Sequence, residues 1–341
     1  MKKTWKRKVL YVLIAILVLL IGMGTYYIVQ TNRMLSKITL NETEAALPPN
    51  RVNVATDSFN VYVTGIDQWT VEKGLDLERS DINMIATVCP KTRKILLTSI
   101  PRDAYVALHR TGTMDKLTHT GIYGVDETLN TVQDWTGLDM NYYVKVNFSA
   151  CVHIVDAIDG VDVYSPVAFN SSISKYTYDK GWNHLNGKEA LYFARERKSF
   201  YNEEDQIRVV NQQRVIRAML NKIMSSKTLL TKYGELMDVM IEDMETNMPA
   251  EDIKALVKLQ MTDLSAWDIK TQRMTGEYEM ETVASMSSKN KYQVLKVSDK
   301  TFNKCVAKIN KTMNPSKTEI TKALAERGKN SVFAIFKGVF K

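Results

Sequence analysis

The chain has 341 residues, 45% of them hydrophobic and 25% charged, which is enough for one large core or two modest ones and excludes general disorder. Its net charge of +8 sits at the two ends: residues 1–8 hold five basic side chains and no acid, and residues 316–341 hold six basic side chains against two glutamates, so the body between them is close to neutral. Such a body offers no basic field to track a phosphodiester backbone, which argues against a nucleic-acid partner. The three cysteines, Cys89, Cys151 and Cys305, lie in apolar segments with no metal spacing and read as small buried hydrophobes, not a disulfide framework.

After MKKTWKRK comes an unbroken apolar run from Val9 to Val29, long enough for one helix to cross a bilayer. A cleaved signal peptide is the competing reading, but its apolar segment is shorter and ends in small residues, whereas Tyr26 and Tyr27 suit the interfacial belt of a retained anchor. The basic N-terminus stays in the cytoplasm by the positive-inside rule, which places everything after Val29 outside. Residues 30–55, with Pro48 and Pro49 and little periodicity, read as a stalk.

Ser58 to Thr64 alternates like a strand, and Gly65-Ile66 leads to Asp67 in the following loop. Ile82 to Cys89 and Ile95 to Ile100 are two apolar runs joined by the polar turn Pro90 to Lys94 and read as neighbouring antiparallel strands. Their far ends then lie side by side, bringing Arg79-Ser80-Asp81 close to Arg102-Asp103 at one rim of a sheet. These are either strand-end salt bridges or, since guanidinium forks and carboxylates together suit a phosphate bridged by a divalent ion, a phosphate or metal site.

Ala104 to Leu108 and a polar turn through Asp115-Lys116 follow, then a helix from Val125 stopped at Gly137, a strand from Asn141 to Asn147, a helix from Ala150 to Ile158 capped by Ser149, and the strand VDVY after Gly160. Asn170 to Lys180 reads as an exposed loop, and the helix beginning at Leu185-Asn186-Gly187 runs into Arg195 and Arg197, which share a face only where the chain is extended. A long helix spans about Asp205 to Ser225. Arg208 and Gln212 lie on one face near its N-terminus, where anions are favoured, unless that face is simply solvated. Helices over 229–241 and 249–261, strands over 267–274 and 292–297, and a helix over 301–313 complete the order. This is the pattern of an α/β fold with a central mixed β-sheet covered by helices on both faces, here preceded by a single transmembrane helix. The tail, with Phe333, Phe336 and Phe340 among lysines, either lies on a membrane surface or frays or docks on the domain.

The motifs Arg79-Ser80-Asp81, Ser99 to Asp103, Asp115 to His119, Tyr142 to Phe148, LNGKEAL with ARERK, and Ile207 to Ile216 occur together in this order. In these the chain resembles the LytR-CpsA-Psr family, over about residues 56–225 and more loosely to about 310. The resemblance implies residues 1–8 as a cytoplasmic tail, 9–29 as transmembrane helix, 30–55 as stalk, 56–310 as the catalytic domain and 311–341 as a basic amphipathic tail. It also implies transfer of a polyprenyl-pyrophosphate-linked glycopolymer, teichoic acid or capsular polysaccharide, with its phosphate, onto peptidoglycan. By the same resemblance Asp67 and Asp81 hold Mg²⁺, or Mn²⁺ in its place. Arg79, Arg102, Lys116, Arg195, Arg197, Arg208 and Gln212 grip the pyrophosphate, and Asp103 and Asp205 orient the arginines. Two stretches depart from the family pattern: GIDQW lacks an arginine soon after Asp67, and EEDQIR lacks a glycine before Asp205.

The chemistry of the residues agrees independently. Transfer from a lipid pyrophosphate needs cations where charge develops and a metal clamp across the phosphates. Magnesium takes one or two carboxylates plus substrate oxygens, without histidine or thiolate. His119 reads as structural and not as a base. The expected protein is thus a Mg²⁺-dependent phosphotransferase with a pyrophosphatase side activity, anchored by one span in the cell membrane of a Gram-positive-type envelope with its domain outside. The rival is a non-catalytic anchored module that binds lipid-linked wall precursors. A cytoplasmic regulator is a third class.

Overall fold

The computed structural model describes residues 50–66, 79–200, 204–225, 231–263, 265–286 and 290–330, with Val29 and Thr228 besides. Residues 9–28 of the expected membrane span, most of the stalk, loop residue Asp67 and the end of the tail lie outside the described residues, as does the side chain of Asp205. Among the described residues no helix is long and apolar enough to cross a membrane.

Six strands form the central sheet, in the order β11-β6-β1-β2-β3-β12. They are β1 (Phe59–Ile66), β2 (Ser80–Cys89), β3 (Lys94–Ile100), β6 (Tyr142–Asn147), β11 (Met244–Thr246) and β12 (Asp268–Arg273). β1, β3, β6 and β12 run parallel to one another, with β2 antiparallel between β1 and β3 and β11 antiparallel at the edge beside β6. The carboxyl ends of four parallel strands therefore share one rim, the place where α/β sheets gather their ligands.

Small hairpins lie outside this sheet: β4 (Tyr105–Ala107) with β5 (Met114–Lys116), β7 (Val161–Ser165) with β10 (Gly181–Leu185), β8 (Phe169–Asn170) with β9 (Thr177–Tyr178), and β13 (Gly276–Glu281) with β14 (Tyr292–Val297). The helices are α1 (Leu117–Thr120), α2 (Val125–Thr136), α3 (Phe148–Ala157), α4 (Gly187–Arg195), α5 (Glu204–Ile223), α6 (Tyr233–Asp243), α7 (Ala250–Asp263), α8 (Asp299–Met313) and α9 (Lys317–Asn330).

β2 and β3 read as near-continuous apolar runs because both of their faces are covered. On one face Ile85, Leu96 and Ile100 meet Val132 of α2 and Cys305 and Ile309 of α8. On the other, Met84, Ile95 and Leu97 meet Ile216 and Leu220 of α5, Met224 just past its end, and Leu259 of α7. The expected helices on both faces are thus present. A further core joins α3, α4, α6 and the small strands through Val155, Val163, Phe193 and Leu236. α5 serves two cores at once, since Val215 and Met219 face this last one. A helix wedged between two cores carries apolar residues on more than one face.

Several local expectations are corrected. Asn147, not Ser149, caps α3, its side chain accepting from the Ala150 amide at 2.7 Å. The helix expected over 229–241 begins at Tyr233. Within the expected loop Asn170 to Lys180, Asn170 and Thr177-Tyr178 pair as part of β8 and β9. Strands β5, β10, β11 and β13 went unforeseen; β13, reading GEYEME, alternates Tyr278 and Met280 with three glutamates, although both of its faces lie largely in solvent.

Candidate active site at the rim of the sheet

The rim is built from strand ends. β1 and β2 pair with a register shift at Gly65/Ile66, where a side chain on Gly65 would press to 3.0 Å from Ile82. Just inside it, a fully buried polar network fixes the start of β2. Thr64 and Ser80 share a hydrogen bond of 2.7 Å, the Ser80 and Tyr62 hydroxyls both donate to Asn83 Oδ1, and Asn83 Nδ2 donates to the Ser80 backbone carbonyl at 2.9 Å. Burial pushes the Tyr62 phenol far above its ordinary value, so it stays a donor. Asp81, next in the chain, is thereby held at the rim.

There Arg102, just past β3, donates from Nη1 to Asp81 Oδ1 at 2.8 Å and places Nε 3.4 Å from Asp103 Oδ2. Lys116 Nζ reaches the other oxygen of Asp103 at 3.1 Å. Asp81, Arg102, Asp103 and Lys116 thus form one alternating chain of charges, as the hairpin geometry required. A cleft of about 40 Å³ beside it is lined by Arg102, Asp103, Arg208, Arg273, Gly276 and Tyr278 among others. It suits a phosphate-sized group at its mouth. α5 is fastened here by Gln213, whose amide donates to the Ser99 hydroxyl at 2.8 Å and the Gln272 carbonyl at 2.6 Å, and this sets Arg208 one turn earlier at the cleft.

Lys116 is placed by its neighbour. Asp115, with no exposed surface, accepts from the Lys116 amide, His119 Nδ1 and the Ser285 amide, each at 2.7 Å. Burial alone would raise its pKa, but these donors outweigh burial and lower it. Ser285 Oγ also lies 2.8 Å from His119 Nδ1, the nitrogen that already faces Asp115, so the three do not form a nucleophile relay and His119 is structural.

Arg195 closes α4 and stacks over Phe148 at 4.7 Å. Phe148 directly follows Asn147, which pairs with Ile66 at the end of β1, so Arg195 reaches the same rim from the neighbouring strand. Glu196 is extended and buried between Arg195 and Arg197. It accepts from the Ser172 amide and hydroxyl and from the Arg197 and Ser199 amides, at 2.6 to 3.2 Å. Burial opposes its charge, yet these bonds hold its carboxyl below the ordinary value. Arg79 is exposed ahead of β2 and makes no ion pair with a described residue, and Gln212 and Arg197 do not line the cleft.

Arg273, at the end of β12, is the cleft cation that sequence reading passed over, because no motif surrounds it. As for a metal, both oxygens of Asp103 are engaged, while among the described residues Asp81 is engaged at Oδ1 only, by Arg102, which leaves Oδ2 for another partner. Among the described residues no three His, Cys, Asp or Glu side chains gather into a metal cage. A single available carboxylate oxygen at a phosphate site fits magnesium, which draws most of its remaining ligands from water and substrate.

The LytR_cpsA_psr family model matches residues 25–311. The polyisoprenyl-teichoic acid-peptidoglycan teichoic acid transferase TagU of Bacillus licheniformis is 33% identical over 258 residues, covering 74% of this chain and 82% of that protein. A solved structure described as TagT bound to LIIa-WTA superposes with a TM-score of 0.61 at 25% identity, covering 80% of this chain and 98% of the other. The crystal structure of Bacillus subtilis TagV gives 0.62 at 25% identity, over 76% and 99%. With its match spanning most of the sequence, this chain belongs to the LytR-CpsA-Psr family.

Proposed function

We propose that this protein transfers a polyprenyl-pyrophosphate-linked anionic glycopolymer, teichoic acid before capsular polysaccharide, together with its phosphate onto peptidoglycan. The observation that carries the reading is the chain of charges at the parallel-strand rim, Asp81 to Arg102 to Asp103 to Lys116, with Arg208 and Arg273 beside it. A sugar hydroxyl of the acceptor forms a bond to the phosphorus nearer the glycan, the bridging P–O bond breaks, and polyprenyl phosphate leaves. The hydroxyl proton passes to a carboxylate at the rim. Arg102 and Lys116 face the charge that builds on the leaving phosphate, and Asp103 keeps both aimed there. Asp81, with Asp67, would hold Mg²⁺, or Mn²⁺ in its place, which when bound withdraws charge from the phosphate oxygens. With water as the acceptor the same steps give a pyrophosphatase side activity.

The reading also takes residues 9–29 as the membrane anchor and puts the domain outside a Gram-positive-type cell membrane. Purified protein given lipid-linked polymer, Mg²⁺ and peptidoglycan is expected to release polyprenyl phosphate and label the wall. Binding of the donor without release would make the protein a carrier instead, and resistance of the domain to protease added outside intact cells would refute the location.

A further inference from the structure

We propose that the outer face of the β7–β10 hairpin is a binding platform for an uncharged glycan, the sugar backbone of the acceptor. The inference rests on the transfer reaction above. The hairpin register pairs Tyr164 with Trp182 and Asp162 with His184. Val161, Val163 and Leu185 turn inward to a core, so these four side chains share the opposite face. Trp182 is 73% exposed, more than any other large apolar side chain among the described residues, and Tyr164 is 46% exposed. Their rings meet edge to face, 5.5 Å apart at 72°, so each fixes the other while most of the indole stays in water.

The second pair gives this face its polar half. His184 Nδ1 lies 2.8 Å from Asp162 Oδ1, and both side chains stand in solvent. The imidazole leans over Gly160, where a Cβ would fall 2.7 Å from Nε2, so the ring's place depends on a residue without a side chain. Asp162 keeps its other oxygen for a hydroxyl group. An aromatic face beside a fixed polar pair matches a pyranose, with its apolar C–H face and its hydroxyl edge.

Charge decides between occupants. The carboxylate of Asp162 on this face repels the phosphates of the anionic donor polymer and of acidic lipid headgroups. Surfaces that lie on membranes combine aromatics with lysine and arginine, and these four positions hold neither. The neutral sugar backbone of the acceptor carries no such penalty. The position also suits it: Asn186 links β10 to α4, whose last residue is Arg195 at the rim. Five extended residues and one nine-residue helix make that path about 30 Å at most.

The test titrates purified full-length protein in detergent with chitotetraose, an uncharged β-1,4-linked N-acetylglucosamine tetramer, following tryptophan fluorescence and calorimetry. The wild type is expected to bind, and Trp182→Ala to weaken binding about tenfold or more, the worth of one aromatic contact of about 1.4 kcal/mol. Trp182→Phe should recover part of the loss, and in transfer assays Trp182→Ala should raise KM for the glycan acceptor with little change in kcat. Equal chitotetraose binding by wild type and Trp182→Ala, with both variants folded by circular dichroism, overturns the proposal. So does a loss confined to vesicles of phosphatidylglycerol and phosphatidylcholine, which would make the face a membrane contact. Chitotetraose binding that depends on Trp182 in a protein that transfers no polymer would sink the reaction and leave the platform standing.

Discussion

Arg102 is the residue whose removal separates catalysis from stability most cleanly. It spans two carboxylates with different nitrogens, Nη1 on Asp81 at 2.8 Å and Nε 3.4 Å from Asp103, and its side chain is 30% exposed against 24% for Asp81 and 14% for Asp103. At an effective dielectric of about 20 each contact has a gross attraction of roughly 4 to 6 kcal/mol. With this much water access, solvent screening and side-chain entropy leave a net stability of about 1 kcal/mol. Arg102→Ala should therefore lower the melting temperature by only a few degrees. Its effect on the reaction is larger, because a preorganised cation facing transition-state charge is worth about 100- to 1,000-fold in kcat. Arg102→Lys keeps the charge but a single ammonium cannot bridge both carboxylates as the planar fork does, so a loss of about tenfold or more is expected. Single-turnover release of polyprenyl phosphate from a labelled lipid donor measures both variants, with thermal unfolding run beside it. Turnover by Arg102→Ala within about threefold of wild type, or a loss no larger than the unfolded fraction explains, refutes the assignment.

Arg273→Ala should cut kcat/KM for the lipid donor about tenfold, the effect of one charge-assisted phosphate contact, while leaving circular dichroism unchanged; equal kcat/KM would remove it from the site. Gly187→Ala should destabilise by about 2 kcal/mol or more, since its Cβ would sit 2.2 Å from the Val152 carbonyl oxygen and force α4 off α3, and urea unfolding reads this directly. Glu196→Gln should cost about 1 to 3 kcal/mol at neutral pH by mismatching the buried donors of Ser172, Arg197 and Ser199. The Glu196 carboxyl is held below its ordinary 4.5, so its share of stability is present above pH 4.5 and fades as pH falls through the folded value. The gap between wild type and Glu196→Gln should close in acid, and a pH-independent gap would show that the charge is not what matters.

The rim was legible because strand pairing is a strong constraint: once Ile82–Cys89 and Ile95–Ile100 form a hairpin, Asp81 and Arg102 must meet. What escaped was polar chemistry written inside apolar segments. Asn83 and Tyr62 interrupt or merely decorate a strand in sequence, and only their burial shows that they clamp the start of β2. Glu196 sat unremarked between two arginines in a run of charges, yet it is fully buried and organises the loop that presents them. A carboxylate flanked by Arg195 and Arg197 at a helix end was the signal, since in an extended segment alternate side chains point to opposite sides. Gln212 and Gln213 show the limit of helical spacing. The i, i+4 rule selected Gln212 with Arg208, while Gln213, one position on, turns into the sheet and fixes the helix.

Both ends of the described domain leave from the pole opposite the rim. β1 starts there, Lys91 in the β2–β3 turn lies 4.0 Å from Asp57, and Arg327 of α9 donates to the Pro90 carbonyl at 2.7 Å in the same turn. The eight residues of β1 separate that pole from the rim, a distance of about 26 Å. Under the proposed anchoring, a lipid-linked donor requires the rim to come down to the bilayer, although the chain enters from the far pole, while the acceptor lies outward in the wall. The roughly 20 residues between the anchor and Asn50 reach up to about 70 Å when extended. Under that anchoring such a length would be more than twice the pole-to-rim distance, enough for the same charged rim to reach either substrate. On that reading, a connection shorter than the pole-to-rim distance would hold the rim away from the membrane.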